Sequence, residues 1–125
     1  MKKLITQLVI GCLLSVAIGY IAYEPQDDNP PNQSTILLQG SLDTNAGPND
    51  VEAYVDEYNI YINFHRSFGN VNITLYNPFG LTVYHDVINT NIQNLVVIPI
   101  SGLPEGTYTI VLEKNSNYLD GDFEK

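Results

Sequence analysis

The chain has 125 residues, with fourteen acidic and five basic side chains and a formal net charge of −9 at neutral pH. Such a surface repels phosphate backbones and anionic lipid headgroups, which argues against nucleic-acid binding and against electrostatic attachment to a membrane. The one cysteine, Cys12, also excludes a disulfide framework within the chain.

Residues 1–23 are predicted to be a signal peptide or an N-terminal anchor. Two lysines precede an apolar run over residues 4–23, and a basic start followed by apolar and small residues is typical of secretory signals. Three outcomes stay open: cleavage after Gly19, lipidation at Cys12, or retention as a membrane anchor. Each predicts an exported protein, located in the periplasm, on the outer-membrane surface or outside the cell. Contact with the membrane is then expected only through this segment, where it is not cleaved.

Residues 24–33 form the next segment, which is polar, rich in proline and without apolar side chains. This composition predicts an extended linker. The remainder, residues 34–125, has the length of a single domain and shows no apolar stripe at helical spacing.

Short runs of alternating apolar residues between turn signals indicate an all-β domain. Seven strands are predicted within about eighty-five residues, which favours an immunoglobulin- or fibronectin-III-like sandwich of about seven antiparallel strands. A final short run, 118–123, is predicted to add an edge strand. The seven runs are 35–39, 51–55, 58–65, 71–76, 81–87, 95–100 and 107–114.

A further sign of this fold is the stretch Leu-Pro-Glu-Gly-Thr-Tyr at 103–108. A tyrosine shortly after a proline-glycine turn resembles the tyrosine corner of immunoglobulin-like domains, in which the phenol hydroxyl bonds back to the nearby backbone. Tyr108 is therefore predicted to be a structural residue.

The other tyrosines supply the candidate binding residues. The alternation places Tyr58 with the core residues, and it places Tyr54, Tyr61 and Tyr84 on the polar face of the strands. Solvent-facing tyrosines on a flat sheet can stack on sugar rings or anchor a protein interface. Tyr54, Tyr61 and Tyr84 are accordingly predicted as a binding face for an unknown protein or glycan.

Catalytic chemistry is not expected. Neither His65 nor His85 has a nucleophile and an orienting partner in a recognisable motif, and no serine lies in a Gly-x-Ser-x-Gly turn. His85 and Asp86 are neighbours on a strand, so their side chains point to opposite faces.

Metal binding is not expected either. The two histidines lie twenty residues apart and lack zinc-ligand spacing. Asp43, Asn45 and Asp50 surround a Gly-Pro turn, where such residues serve turn geometry more often than calcium binding. The sequence thus predicts a protein that is not an enzyme and carries no metal or cofactor.

Six stretches of the chain form a pattern shared with a known family: LLQGS at 37–41, VEAYVD at 51–56, GNVNITLYN at 69–77, GLTVY at 80–84, IPISGLPEGTY at 98–108 and GDFE at 121–124. With these stretches the chain from residue 34 onward resembles the small exported proteins of Bacteroides-type bacteria known as domain of unknown function 3244. That resemblance implies an immunoglobulin-like sandwich behind a signal peptide, and it implies no biochemical activity.

Residues 71–112 are also similar to the C-terminal sorting domains of Bacteroidetes secreted proteins, a weaker likeness that points to fold rather than export route. The leading functional hypothesis is an exported, non-catalytic binding or interaction module of the cell envelope. The alternatives are a structural component that contributes a strand to neighbouring subunits, or a sorting-type domain.

Overall fold

The computed structural model describes residues 32–125, so the predictions for residues 1–23 and for most of the linker lie outside the described residues. None of these described residues belongs to a helix that could span a bilayer. Residues 32–125 contain nine strands: β1 Ser34–Ile36, β2 Gln39–Ser41, β3 Val51–Val55, β4 Asn59–Phe64, β5 Asn70–Tyr76, β6 Thr82–Asn89, β7 Leu95–Pro99, β8 Thr107–Lys114 and β9 Asn117–Glu124.

The strands form two antiparallel sheets. One sheet has four strands in the order β1-β3-β4-β7, and the other has five in the order β2-β9-β8-β5-β6. The edges are therefore β1 and β7 in the first sheet and β2 and β6 in the second. This arrangement is the predicted all-β sandwich, with more strands than the seven expected.

The core lies between the sheets and is built from the alternate residues of each strand, as period-two patterning requires. Val, Ile and Leu dominate it because branched side chains fill the space between two pleated surfaces. Its largest fully buried side chains are Tyr108, Phe64, Leu42, Ile60, Ile62, Ile73, Leu75, Ile98, Ile100, Ile110, Leu112 and Val71.

The predicted first strand is two strands in two different sheets. β1 pairs with β3, whereas β2, three residues later, pairs with β9. We call residues 34–41, which cross from one sheet to the other, the strap.

Two glycines allow the strap to lie close to the sandwich. A Cβ atom on Gly121 would stand 2.5 Å from the carbonyl oxygen of Leu37, and one on Gly40 would stand 2.3 Å from the carbonyl oxygen of Tyr118. Gly40 also has φ +108°, a backbone conformation that L side chains rarely adopt. The close approach of backbone to backbone thus depends on both residues.

One polar side chain in the described part of the chain is buried, that of Thr90 at the end of β6. Its hydroxyl accepts a hydrogen bond from the N–H of Phe68 at 2.6 Å and donates one to the carbonyl of Gly69 at 2.8 Å. Thr90 therefore supplies the acceptor for the N–H of Phe68 and adds a second donor to the carbonyl of Gly69, which also accepts from the backbone N–H of Thr90 at 2.8 Å.

Candidate functional site

Tyr54 and Tyr61 lie side by side on the outer face of the four-stranded sheet. They are direct cross-strand partners on β3 and β4, with Thr35 beside Tyr54 and Val97 beside Tyr61. The inward residues of these strands are buried, so this row of four side chains faces away from the core. We call this surface the tyrosine face.

Both tyrosine hydroxyls are held by carboxylates of the same sheet. Tyr54 donates to Oε1 of Glu52 at 3.0 Å. Tyr61 donates to Oδ2 of Asp56 at 2.9 Å and accepts from the amide of Asn59 at 3.1 Å. Because Glu52 and Asn59 each lie two residues before the tyrosine they bond, the rings lean along antiparallel strands in opposite directions. The rings thus cover the sheet surface instead of standing clear of it.

The charge state of this network follows from its hydrogen bonds. His65 Nε2 lies 2.9 Å from Oε1 of Glu52, and this contact, with the Tyr54 hydroxyl, lowers the pKa of Glu52 below its usual value. The same hydrogen bond to Glu52 raises the pKa of Tyr54. Glu52 is therefore an ionised acceptor at neutral pH and Tyr54 a neutral donor.

Asp56 holds the other hydroxyl in the same way. Partial burial opposes ionisation, but the backbone N–H groups of Tyr58 and Asn59, each 2.8 Å from Oδ1, outweigh it and lower the pKa of Asp56. The carboxylate is thus fixed by three donors, the two backbone groups and the Tyr61 hydroxyl.

The middle of the tyrosine face carries no charge. Its central row consists of Thr35, Tyr54, Tyr61 and Val97, and Leu95 and Val97 are about half exposed beside it. Every residue of the run 95–100 is apolar, so the sequence does not show which side chains face outward, and only the register and burial of β7 place Leu95 and Val97 on this face. A flat, uncharged aromatic and aliphatic centre is suited to contact with another apolar surface.

The prediction that Tyr84 shares this face is wrong. Tyr84 lies on β6 of the five-stranded sheet, opposite the buried Leu75, and packs against the core. Burial and the neighbouring Asp86 raise the pKa of its hydroxyl. Only Tyr54 and Tyr61 of the three predicted residues are brought together.

The two tyrosines predicted in the core differ. Tyr58 precedes β4 and is 62% exposed, so its predicted burial is wrong. It lies in the β3–β4 turn, where the strand alternation does not extend. Tyr108 is 1% exposed, and its hydroxyl donates to the carbonyl of Pro104 at 2.6 Å. That is the hydrogen bond expected of a tyrosine corner.

The two histidines are not assembled into a common site. His65 follows β4 and contacts Glu52, while His85 lies on β6 in the other sheet, opposite Thr74. Asp86 lies opposite the buried Ile73, so the His85 and Asp86 side chains point to opposite faces, as alternation predicts. Across residues 32–125, no three His, Cys, Asp or Glu side chains are grouped to hold a metal ion.

The acidic loop between β2 and β3 holds a protein cation. Arg66 contacts Asp43 at 2.6 Å and Asp50 at 3.0 Å, and its guanidinium lies 4.3 Å from the ring centroid of Phe68. The backbone N–H of Gly47 and the guanidinium lower the pKa of Asp50. The position that a calcium ion would share between these two carboxylates is thus occupied by Arg66.

Comparison with known proteins identifies a family and a fold. A family described as domain of unknown function DUF3244 matches residues 35–125. No curated protein matches the chain. The crystal structure of a DUF3244 family protein with an immunoglobulin-like β-sandwich fold, from Bacteroides vulgatus, is similar with a TM-score of 0.65 and 20% sequence identity. The similarity covers 74% of this chain and 98% of the other.

Proposed function

This chain belongs to the DUF3244 family, and from that premise we propose that it is an exported, non-catalytic module that binds a protein of the bacterial cell envelope through its tyrosine face. The observation that carries the proposal is the pairing of Tyr54 with Tyr61 at the centre of an outward-facing sheet. Interface centres are enriched in tyrosine and depleted of charge. The family and the fold contribute no ligand of their own.

The polar groups around the tyrosines favour a protein over a glycan. Sugar binding needs free donors and acceptors aimed at hydroxyl groups, in addition to an aromatic surface. On the tyrosine face, Glu52, Asp56 and Asn59 already bond the tyrosine hydroxyls. The surface left for a ligand is mainly aromatic and aliphatic, and such a surface is complementary to apolar side chains of a partner.

Charge around the face restricts the partner further. Residues 32–125 contain eleven carboxylates and three Lys or Arg residues, and two of those three cations already contact Asp43. Glu52 and Asp56 border the central row, since each accepts a hydrogen bond from one of its tyrosines. A partner with a basic rim around an apolar centre would associate faster and with the orientation fixed by these charges.

Export is part of the proposal and rests on the sequence of residues 1–23. The basic start and apolar run support it, as does the absence of cysteine after Cys12, because free thiols are unfavourable in oxidising compartments. We place the protein in the periplasm, on the outer-membrane surface or outside the cell.

Site-specific photo-crosslinking in intact cells tests the binding face. A benzophenone amino acid replaces Val97, which is 46% exposed next to Tyr61, and in a control protein it replaces Val111 on the outer face of the other sheet. We expect one envelope protein to be captured from Val97 and not from Val111. Capture of that protein from Val111 alone would contradict the assignment of the face.

A pair of variants then tests the tyrosine itself. Tyr61→Ala removes the ring and is expected to abolish crosslinking from Val97, whereas Tyr61→Phe keeps the ring and is expected to retain most of it. If Tyr61→Ala crosslinks as well as the unchanged protein, the tyrosine pair does not form the contact. Binding of purified neutral polysaccharide that is lost in Tyr61→Ala would replace the protein partner with a glycan.

A further inference from the structure

Three residues of the long edge strand β6 direct their backbone groups away from β5, on the side where no other strand of residues 32–125 pairs with β6. The N–H of Thr90 bonds the carbonyl of Gly69 at 2.8 Å, so residues 69 and 90 are a hydrogen-bonded pair of the β5–β6 ladder. Every second pair along the ladder is then hydrogen-bonded as well, namely 71 with 88, 73 with 86 and 75 with 84. In an antiparallel ladder, alternate residues bond the neighbouring strand and the residues between them point away from it. Ile88, Asp86 and Tyr84 therefore bond β5, while Asn89, Val87 and His85 present their backbone groups to the free edge.

Two of these outward groups already have partners within the chain. The N–H of Val87 donates to Oδ1 of Asp86 at 2.8 Å. The carbonyl of Asn89 accepts from the N–H groups of Ile92 and Gln93, each at 3.1 Å, in the turn that follows. An incoming strand would have to displace the side chain of Asp86 before it could accept from Val87.

Strand β7, which follows β6 in the chain and is an edge of the other sheet, is protected against strand addition in a different way. The bonds Phe64 N–H to Asn94 and Ile100 N–H to Tyr58, both 2.8 Å, fix the ladder so that residues 95, 97 and 99 face outward. Pro99 has no N–H to offer an added strand. The side-chain amide of Gln93 donates to the outward carbonyl of Leu95 at 3.2 Å.

We call Asp86 the cap of the β6 edge because its carboxylate accepts the outward N–H of Val87. Its position in the sheet allows this. It is opposite the buried Ile73, on the inner face of the sheet, yet its own side chain is exposed. A charged residue pointing inward from an edge strand opposes strand addition, because continuing the sheet would surround its carboxylate. The carboxylate therefore protects the edge mainly through its hydrogen bond to Val87, and its resistance to burial is a smaller addition.

We propose that Asp86 holds the β6 edge closed to strand addition, and that the surface it closes fits β6 of a second copy of this chain. An antiparallel pair centred on Val87 places Val87 of one copy opposite Val87 of the other, and His85 opposite Asn89. The half-exposed Val87 side chains would meet, no like charges would face each other directly, and the two five-stranded sheets would join.

Removing the cap from the full-length chain tests the proposal. Asp86→Ala deletes the acceptor, and Asp86→Asn is the matched control that removes the charge but keeps an oxygen able to accept from Val87. Sedimentation velocity is measured over a hundredfold range of concentration in about 0.5 M salt, which screens repulsion between acidic copies. We expect Asp86→Ala to form a dimer that dissociates on dilution, with Asp86→Asn sedimenting like the unchanged protein.

Two results would overturn the proposal. Asp86→Ala that sediments like the unchanged protein would show that the cap does not control the edge. Equal dimerisation of Asp86→Asn would show that charge alone, and not the hydrogen bond to Val87, keeps the copies apart. Gln93→Ala is expected to stay unassociated because Pro99 still lacks a donor, and its dimerisation would assign control to β7 instead.

Amide hydrogen exchange shows which residues form the new contact, and it also shows whether the variant is still folded. In the Asp86→Ala dimer, the Val87 amide is expected to exchange at least tenfold more slowly than in the same variant diluted to monomer, while the core amide of Ile73 stays protected in both. Dimerisation with no change at Val87 would place the contact elsewhere and reject the proposed pairing. Loss of protection at Ile73 would show that the variant associates because it unfolds, and it would also contradict the proposed pairing.

Discussion

The hydroxyl of Tyr108 bonds the carbonyl of Pro104 at 2.6 Å, from a side chain that is otherwise enclosed by the core. The bond joins the start of β8 to the loop before it, and the ring stacks on Phe123 of β9 with centroids 5.8 Å apart. One residue therefore connects a loop, two adjacent strands and the core.

Tyr108→Phe is expected to lower the free energy of unfolding by about 1–2 kcal/mol, because the variant loses this hydrogen bond but keeps the packed ring. Urea unfolding followed by circular dichroism measures the difference. Tyr118→Phe is the control, since Tyr118 is largely exposed and its change should stay within about 0.5 kcal/mol. Equal effects of the two variants would contradict a specific role for the corner.

Thr90→Val should lower the free energy of unfolding more than expected from two side chains of nearly the same shape. The variant leaves the buried N–H of Phe68 without an acceptor, while the carbonyl of Gly69 keeps its bond from the backbone N–H of residue 90, so the free energy of unfolding should fall by about 1–3 kcal/mol. Thr74→Val, on the outer face of β5, is the matched control and is expected to be neutral. Thermal unfolding of both variants distinguishes the lost hydrogen bonds from a general effect of replacing threonine.

Gly121→Ala is expected to loosen the strap. The added Cβ would stand 2.5 Å from the carbonyl oxygen of Leu37 and 2.8 Å from Cγ2 of Ile36, so either the strap or β9 must move, at a cost of about 1–3 kcal/mol. Gly102→Ala has open space around the new atom and should change little. Proteolysis near residue 37 that is faster in Gly121→Ala alone would support this prediction, and equal rates would oppose it.

Acid is expected to destabilise the domain through carboxylates whose pKa is lowered on folding. Asp43, Asp50, Glu52 and Asp56 all have a lowered pKa in the folded state. The unfolded chain then binds protons more readily, so their stabilisation is complete above the unfolded pKa values of about 4 and is lost as pH falls through the lower folded values. The free energy of unfolding should therefore decline progressively below about pH 5.

Arg66→Met isolates one part of that dependence. The variant removes the cation that contacts Asp43 and Asp50, so the folded pKa of both should rise and the acid decline should become shallower. Lys125→Met provides the control, because Lys125 makes no ion pair in the described part of the chain. An unchanged pH profile in Arg66→Met would contradict the assigned cause.

Strands whose two faces differ strongly could be predicted from the sequence. In β3, β4 and β5, apolar residues alternate with polar ones, and each alternating residue lies on the expected side. The proline-glycine turn before Tyr108 likewise indicated a local hydrogen bond, because the loop and the tyrosine are only four residues apart. Local pattern and local geometry determine these features.

Features that depend on distant partners could not be predicted in the same way. The division of the strap follows from the close approach of residues 36–38 to Gly121, more than eighty residues later in the chain. The alternation puts Tyr84 on the wrong face because β6 is an edge strand, where inner-face positions are only partly covered and can hold Tyr84 and Asp86 together. The capping of Val87 depends on which backbone groups face the free edge, and that follows only from the strand order.

The strap also determines how the domain would resist a pulling force. Tension applied at Ser34 reaches β3 first, through the three residue pairs of β1, and reaches β9 only through the crossing at residues 37–38 and the three pairs of β2. The β1–β3 and β2–β9 ladders bear the force one after the other and belong to different sheets. When the β1–β3 ladder has separated, the β2–β9 ladder therefore still resists the force. A domain attached through its N-terminal end would therefore unfold under force in two early steps, separation of β1 and then of β2, before its core is disrupted.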